Sequence, residues 1–359
     1  MRRVHARQVG SATISWVHGA QNLPGITVDT YNEELREGDG FIGDRAGKRA
    51  FIDLLEEWRQ RLRRRDQDPF GETPTHRIGK KKLDKILTEG ASEAAGLVQS
   101  AIESFAEELA SVLRRFLELK SWQGTERVVI GGGLRNSRIG ELAIGRAAVL
   151  LKASGVDIDL VPIRHHPDEA GLIGAAHLVP SWMLLGHDGI LAVDIGGTNI
   201  RAGLVHLALK KHPDLAKAGV VHSAFWRHAE DEPTRDEAVE RLIGMLRGLV
   251  KHAGKKKLTL APFIGVGCPG HIREDGSIER GGQNLPGNWE SNRFSLPERL
   301  EDGVGALDDQ PITVLMHNDA VIQGLSELPF MRDVQRWGVL TIGSGLGNAR
   351  FSYRNRDKE

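Results

Sequence analysis

Apolar residues recur along this chain with two different spacings, and the two kinds of segment alternate. Between residues 93 and 119 they fall on one stripe with the period of an α-helix, which predicts a long amphipathic helix. Short apolar runs at 127–130 and 339–342, and a pair of runs within 191–205, are typical of buried strands. Strands that alternate with helices predict an α/β fold.

Three of the predicted strands run into glycine-rich turns. The residues of these turns are Gly196, Gly197, Thr198 and Asn199 in the first, Gly343, Ser344 and Gly345 in the second, and Gly131, Gly132 and Gly133 in the third. Glycine lets backbone N–H groups approach a phosphate closely, and a threonine hydroxyl adds a further donor. A single turn of this kind also occurs in ordinary hairpins, whereas three together favour a phosphate-rich ligand.

The bulk composition narrows the class of protein. A chain of 359 residues with 40% hydrophobic and 27% charged residues is ordinary for a globular protein of about two domains. Lys and Arg (48) balance Asp and Glu (48), so no net field favours nucleic acid or a membrane surface. No apolar run reaches the roughly 18 residues of a membrane span. We therefore expect a cytoplasmic enzyme without a nucleic-acid or membrane partner.

Cys268 is the only cysteine of the chain. A single cysteine excludes an intrachain disulfide and any metal site that needs several cysteines. It lies between Gly267 and Pro269, and the sequence indicates no histidine that would activate it. We interpret it as a small buried residue and not as a nucleophile.

Two aspartates lie at the ends of predicted strands, where a carboxylate can take part in a reaction or bind a metal ion. Asp319 comes directly after a strand predicted at 312–316 and before an apolar helix. It is either the N-cap of that helix or a carboxylate that accepts a proton from an attacking hydroxyl. Asp194 begins the first glycine turn, where a carboxylate can order Mg²⁺ and its water shell beside phosphates.

A polar loop is predicted at residues 282–289. Its sequence, Gly-Gln-Asn-Leu-Pro-Gly-Asn-Trp, places amide side chains around a Pro-Gly turn. Such amides suit a ligand with many hydroxyl groups, but the same pattern also occurs in plain surface loops.

As an ordered set, these motifs resemble the sugar kinases of the ROK type, within the actin-like/hexokinase/Hsp70 ATPase superfamily. The matching segments are 194–201 (first phosphate motif), 265–272 with 275–278 and 284–289 (sugar-side loop), 317–320 (catalytic motif), 342–347 (second phosphate motif), 129–134 (adenosine motif) and 170–176 (C-terminal helix). The resemblance covers most of residues 91–350.

The resemblance implies a two-lobed actin-like ATPase (ribonuclease-H-like) fold, in which each lobe is a mixed sheet flanked by helices. In the family the first phosphate motif opens the chain, whereas here the closing motifs precede it. We therefore predict a circular permutation, joined through residues 180–189. The predicted small lobe is 186–318, with a helix at 168–179 packed on it, and the large lobe is 1–167 plus 319–359. Met1 and Glu359 are expected on the large lobe.

The resemblance also implies ATP- and Mg²⁺-dependent phosphoryl transfer to a hydroxyl of a hexose or amino sugar. Asp319 would be the general base and contact the substrate with Asn284, Asn318 and Gly270. Asp194 would hold Mg²⁺ through water. The glycine turns would hold the nucleotide.

Two departures from the family keep alternatives open. No Glu-x-Gly-His motif or cysteine-rich zinc site is visible, so no zinc is expected, and Asn199 stands where many members have lysine. A sugar-binding sensor without catalysis is one alternative, and a kinase for an acid or another polyol is a second. No helix-turn-helix is evident, which speaks against a DNA-binding repressor. The sequence leaves a homodimer open.

Overall fold

The computed structural model describes residues 17–343 and 345–354. In these ranges the helices are α1 Lys48–Arg63, α2 Lys80–Glu89, α3 Ser92–Glu118, α4 Arg138–Ala153, α5 Pro167–Gly174, α6 His228–Asp231, α7 Arg235–Lys255, α8 Leu296–Val304 and α9 Asp319–Leu325. The strands are β1 Asn22–Leu23, β2 Ile26–Tyr31, β3 Arg36–Glu37, β4 Gly40–Phe41, β5 Arg127–Gly132, β6 Asp159–Pro162, β7 Gly189–Ile195, β8 Ile200–His206, β9 Gly219–Trp226, β10 Leu260–Cys268, β11 His271–Ile272, β12 Ile278–Arg280, β13 Ala306–Leu307, β14 Gln310–Pro311, β15 Thr313–Asn318, β16 Arg336–Ile342 and β17 Leu346–Tyr353.

The described chain divides into two compact units. The first consists of residues 17–32, 168–333 and 351–354, and the second of 33–167 and 334–350. These boundaries differ from those of the predicted lobes, because 17–32, 168–185, 319–333 and 351–354 belong to the first unit together with all of 186–318. The predicted lobes themselves, like the circular permutation, stay a prediction. Met1 and Glu359 lie outside the described residues, as does the segment 9–16, which the sequence predicts as a strand.

The first unit is built on a five-stranded mixed sheet with the order β15-β10-β7-β8-β9. β10 pairs in parallel with both β7 and β15, while β7, β8 and β9 pair antiparallel. β7 is buried along its whole length, as expected of a central strand. The predicted pair of strands around the first glycine turn is therefore confirmed.

Helix α7 covers one face of this sheet. It begins with a capping box, in which Thr234 accepts from the Glu237 backbone N–H and the Glu237 side chain accepts from that of Thr234. Leu242, Leu246 and Leu249 point into the core of the unit. The capping box and the inward-facing apolar stripe are both local sequence signals that favour this helix. Each buried leucine contributes about 2 kcal/mol through the area removed from water.

The second unit contains the strand order β17-β16-β5-β6, in which β16, β5 and β6 run parallel. Helix α3 packs on α1 and α4 and buries the predicted stripe, including Val98, Ile102, Phe105 and Leu109. Both units thus consist of sheets flanked by helices, and the predicted mixed α/β class is confirmed. No helix in the part of the chain that the structure describes is long and apolar enough to cross a membrane.

The helix predicted at 168–179 is wrong in its last turn. α5 ends at Gly174, and residues 175–178 form a 3₁₀ turn. Val179 is extended, with φ −122° and ψ 152°, because the ring of Pro180 disfavours a helical residue before it. The chain therefore tightens into a 3₁₀ turn before it leaves the helix.

Candidate active site

Asp319 lies where β15 ends and α9 begins. The preceding residue, Asn318, is the N-cap: its Oδ1 accepts hydrogen bonds from the backbone N–H groups of Ala320 (3.0 Å) and Val321 (3.3 Å). The Nδ2 of Asn318 donates to the carbonyl oxygen of Gly270 at 3.0 Å. Asn318 thus holds the loop of Gly270 beside the start of α9, and Asp319 itself is not the N-cap.

The carboxyl group of Asp319 is set up to ionise near neutral pH. Burial by the surrounding chain and the negative charge of Asp194 raise the pKa of Asp319 to about 7. The hydrogen bond that Asp319 accepts from the Ala320 N–H at 2.9 Å lowers the pKa and so offsets part of this rise. The Asp319 residue nevertheless keeps partial exposure to solvent. A reactant can therefore reach a carboxylate of unusually high basicity.

Asp194 is buried near the end of β7. Burial raises the pKa of its carboxyl group, and Arg201 opposes this, with Nη1 3.6 Å from Oδ2 of Asp194. Nη2 of Arg201 also donates to Asp168, at the start of α5. Helix α5 lies so close to the Asp194 side chain that a Cβ placed on Gly171 would be only 2.7 Å from Cγ of Asp194. Asp194 is thus held between a cation and a tightly packed helix.

The turn between β7 and β8 is closed by a hydrogen bond from the Gly196 N–H to the carbonyl oxygen of Asn199 at 2.8 Å. The carbonyl oxygen of Gly196 lies 2.9 Å from Nε2 of the buried His228. Thr198 is exposed, and its hydroxyl accepts from Nδ2 of Asn199 at 3.0 Å. The turn is therefore rigid and presents a hydroxyl group to solvent.

A recess of about 300 Å³ borders this turn. Gly197, His228, Glu232 and Asn284 line it together with the rest of the loop 283–287. Asn284 is exposed, and its Cβ lies only 2.9 Å from where a Cβ on Gly197 would be. The structure thus brings Asn284 to the first glycine turn, as it brings Gly270 to Asn318.

The other predicted nucleotide-binding glycines lie in the second unit. The Gly343 N–H donates to the carbonyl oxygen of Gly345 at 2.9 Å, and Ser344 between them lies outside the described residues. Gly132 has φ +88°, and a Cβ there would lie 2.2 Å from the carbonyl oxygen of Ile342, so this position requires glycine. The carbonyl oxygen of Gly133 accepts a hydrogen bond from Nζ of Lys80.

Cys268 is fully buried at the end of β10, as predicted. Burial and the charge of Asp319 raise the pKa of its thiol well above the usual value, which makes the thiolate scarce. Sequence reasoning missed Arg201 and His228, which support Asp194 and the glycine turn. Arg201 lies two positions after the turn in the sequence, so its proximity to the turn is a signal that could have found it. No local sequence pattern indicates His228.

The described residues offer two carboxylates for a cation and no larger cluster. No group of three or more His, Cys, Asp or Glu side chains within 17–343 and 345–354 is placed to hold a metal ion. Asp194 and Asp319 do interact through their charges, and Oδ1 of Asn199 is a buried acceptor without a hydrogen-bond partner among the described residues. Such oxygens suit Mg²⁺ that keeps most of its water.

Parts of the chain are similar to solved structures of sugar kinases. A ROK family glucokinase from Streptomyces griseus in complex with glucose and AMPPNP is 20% identical over 46% of this chain and 45% of that chain, with a TM-score of 0.34. A ROK hexokinase from Thermus thermophilus is 21% identical over 37% of this chain and 35% of that chain, with a TM-score of 0.26. The similarity thus spans less than half the length of either kinase.

Another solved structure matches over a longer stretch of the chain. A PPX-GPPA enzyme from Aquifex aeolicus is 14% identical over 64% of this chain and 83% of that chain, with a TM-score of 0.28. No protein-family model and no curated protein matches the chain.

Proposed function

We propose that this protein transfers the γ-phosphoryl group of ATP to a hydroxyl group of a sugar, either a hexose or an amino sugar. The observation that carries the proposal is Asp319, a partly exposed carboxyl group with a pKa of about 7. A general base works best when its pKa lies near the working pH, because it is then both ionised and basic.

Asp319 would accept the proton of the attacking hydroxyl group. Its basicity comes from two causes, burial and the neighbouring charge of Asp194. The N-cap hydrogen bonds of Asn318 hold the backbone around Asp319 in place, so Asp319 loses little conformational freedom when the acceptor binds. The contribution of Asn318 would then be to orient Asp319 and Gly270.

Mg²⁺ fits the groups around Asp194. The ion needs only one or two carboxylates when waters and nucleotide phosphates supply its other oxygen ligands. Asp194 would hold the water shell, and Thr198 with the N–H group of Gly197 would face the phosphates, since the Gly196 N–H already donates to Asn199. When bound, the ion offsets the negative charge of the triphosphate.

The recess beside the first glycine turn supports a polar acceptor. Its volume of about 300 Å³ is that of a small ligand site. Asn284 offers an exposed amide there, which can both donate to and accept from sugar hydroxyl groups. The glycine turns of the second unit, at 131–133 and 343–345, stay predictions of nucleotide binding.

The test is ADP release with Mg²⁺ and a panel of hexoses and amino sugars, for the wild type, Asp319→Asn and Asp214→Asn. Asp214 is a matched control, since it pairs with Arg332 in the same unit and has no role in the proposed reaction. We expect Asp319→Asn to lower kcat by about 10²–10⁴-fold, as loss of a general base does, and the control to stay at wild-type level. Full activity of Asp319→Asn would remove Asp319 as the base. Sugar binding by calorimetry without any ADP release would replace the kinase by a sensor.

A further inference from the structure

Residues 18–31 contact two elements of the first unit that are connected to the surroundings of Asp319. One is β15, the strand that leads into Asp319. The other is the hairpin of β11 and β12, which begins directly after Gly270. No motif in this stretch indicates a role in the site, and only the structure brings it there.

The contact with β15 is made by consecutive residues. The Gly19 N–H donates to the carbonyl oxygen of Met316 at 2.9 Å, and the Met316 N–H donates to Nδ1 of His18 at 3.1 Å. The carbonyl oxygen of Ala20 lies 3.2 Å from Nε2 of His317. β15 is the last strand in the sheet order of its unit. The segment therefore satisfies polar groups that an edge strand otherwise leaves to water.

The contact with the hairpin centres on Ile272. Gly19 has φ +58°, and a Cβ there would lie 2.2 Å from the carbonyl oxygen of Ile272. The hydroxyl group of Tyr31 accepts from the Ile272 N–H at 3.3 Å and faces the Ile272 carbonyl oxygen at 3.5 Å. The Tyr31 ring lies 5.1 Å from the rings of both His271 and His317, measured between centroids. Tyr31 thus touches the hairpin and β15 at once.

We propose that Tyr31 is a positioning residue for the acceptor side of the site, and that it holds the hairpin at a fixed distance from β15, the strand that leads into Asp319. The proposal rests on the proposed function. Ile272, which Tyr31 holds, is two residues after Gly270, and His317, which its ring contacts, is two residues before Asp319. A hydrogen bond already joins Gly270 and Asn318. The contacts of Tyr31 add a second connection between the hairpin and β15.

The chain supplies a matched control, because it contains only two tyrosines. Tyr353 is half-buried like Tyr31 and belongs to the same unit. Its hydroxyl group donates to the carbonyl oxygen of Leu328 at 2.9 Å, outside the proposed reaction. Removal of the Tyr353 hydroxyl group also costs a hydrogen bond to the backbone, whereas only the hydroxyl group of Tyr31 lies on the acceptor side.

The kinetic test compares Tyr31→Phe with Tyr353→Phe, and Tm is measured for both. For Tyr31→Phe we expect kcat/KM for the sugar to fall about three- to tenfold, the factor that corresponds to one net hydrogen bond, with KM for ATP unchanged. Tyr31→Leu, which also loses the ring, should fall further. Tyr353→Phe should keep wild-type kinetics at a similar Tm. Equal sugar kinetics in the two phenylalanine variants would overturn the proposal.

A second measurement separates this proposal from the proposed function. If the wild type releases no ADP with any sugar, the proposed function fails, and backbone hydrogen exchange then decides about Tyr31 alone. Faster exchange across 270–280 in Tyr31→Phe but not in Tyr353→Phe supports the link between the hairpin and β15. Equal exchange in the two variants overturns it.

Discussion

Burial raises the pKa of Asp319, and the charge of Asp194 raises it further, because two carboxylates in one buried site resist ionising together. The sheet explains their proximity. β10 pairs in parallel with β7 on one side and β15 on the other, and Gly267 lies opposite both Asp194 and His317. The carboxyl groups of Asp194 and Asp319 therefore lie at the same end of the strands, one on each side of β10.

The first prediction is a rise of activity with pH. Only the ionised form of Asp319 accepts a proton, and its pKa is about 7, so kcat/KM for the acceptor should rise about tenfold per unit below pH 7 and level off above it. The measurement is a pH–rate profile from pH 5.5 to 9 with saturating Mg²⁺ and ATP. A flat profile between pH 6 and 8 would contradict the assignment.

The second prediction concerns the coupling itself. Asp194→Asn removes the like charge, so the pKa of Asp319 should move down from about 7. Carbon NMR of labelled aspartate carboxyl groups, without nucleotide or metal, reports this titration independently of activity. Assignment comes from Asp319→Asn, which deletes the signal. An unchanged midpoint in Asp194→Asn would mean that burial alone sets the pKa.

The third prediction concerns stability. The pKa of Asp319 is raised in the folded chain from 3.8 to about 7, so its ionisation opposes folding. The cost is absent below about pH 4, grows between pH 4 and 7, and is complete above pH 7. Asp319→Asn removes this cost, so the gain in stability should be larger at pH 8 than at pH 5 by on the order of 2 kcal/mol, after a discount for partial exposure.

Urea unfolding at pH 5 and pH 8 measures this difference. Asp275→Asn is a control of opposite sign, because hydrogen bonds from Ser277 lower the pKa of Asp275. Its replacement should lower the free energy of unfolding equally at both pH values, since Asp275 is ionised throughout. A gain for Asp319→Asn that does not grow from pH 5 to pH 8 would rule out a raised pKa.

The elements around the first glycine turn could be predicted because their signals are local. The turn between β7 and β8 carries two glycines in sequence, and α7 begins where Thr234 and Glu237 form a capping box. Each signal spans fewer than about ten residues, so neighbouring residues alone decide the structure. The apolar stripe of α3 is longer, but it too is a local pattern, because its residues recur every three or four positions along one helix.

The contacts of Tyr31 and Arg201 could not be predicted in this way. Tyr31 lies 241 positions from Ile272 in the sequence, and Arg201 lies 33 positions from Asp168. Such pairs depend on strand order and on the path of the chain between units, which periodicity does not contain. The end of α5 could be predicted only approximately, because it depends both on Pro180 and on the packing of the helix.

The fourth prediction tests the close approach of α5 to Asp194. A Cβ on Gly171 would lie 2.7 Å from Cγ of Asp194, so Gly171→Ala should destabilise the fold by about 1–3 kcal/mol through overpacking. Gly244, in the middle of α7, has nothing within 4 Å of the position that a Cβ would take, and Gly244→Ala should stabilise by about 0.5–1 kcal/mol. Urea unfolding of both variants gives the two signs. A stabilising Gly171→Ala would mean that α5 does not hold Asp194.

The fifth prediction concerns the fully buried Arg59 in α1. Its guanidinium group donates to Asp68 (3.0 Å) and to the carbonyl oxygens of Gly71 (3.0 Å) and Thr73 (2.7 Å), so it organises the loop that precedes α2. Arg59→Met should cost about 3–5 kcal/mol, because it leaves a buried carboxylate and two carbonyl oxygens without this partner. Arg59→Lys should recover only part, since one ammonium group cannot replace the planar fork.

Urea unfolding at neutral pH measures both variants of Arg59, with Arg61→Met as the control on the same helix. Arg61 is exposed and lies over the ring of Trp58 at 4.6 Å, so its replacement should change the free energy of unfolding by no more than about 0.5 kcal/mol. The contrast depends on burial, since both residues are arginines of α1. If Arg59→Met and Arg61→Met cost the same, the loop is held by its backbone turns and not by the guanidinium group.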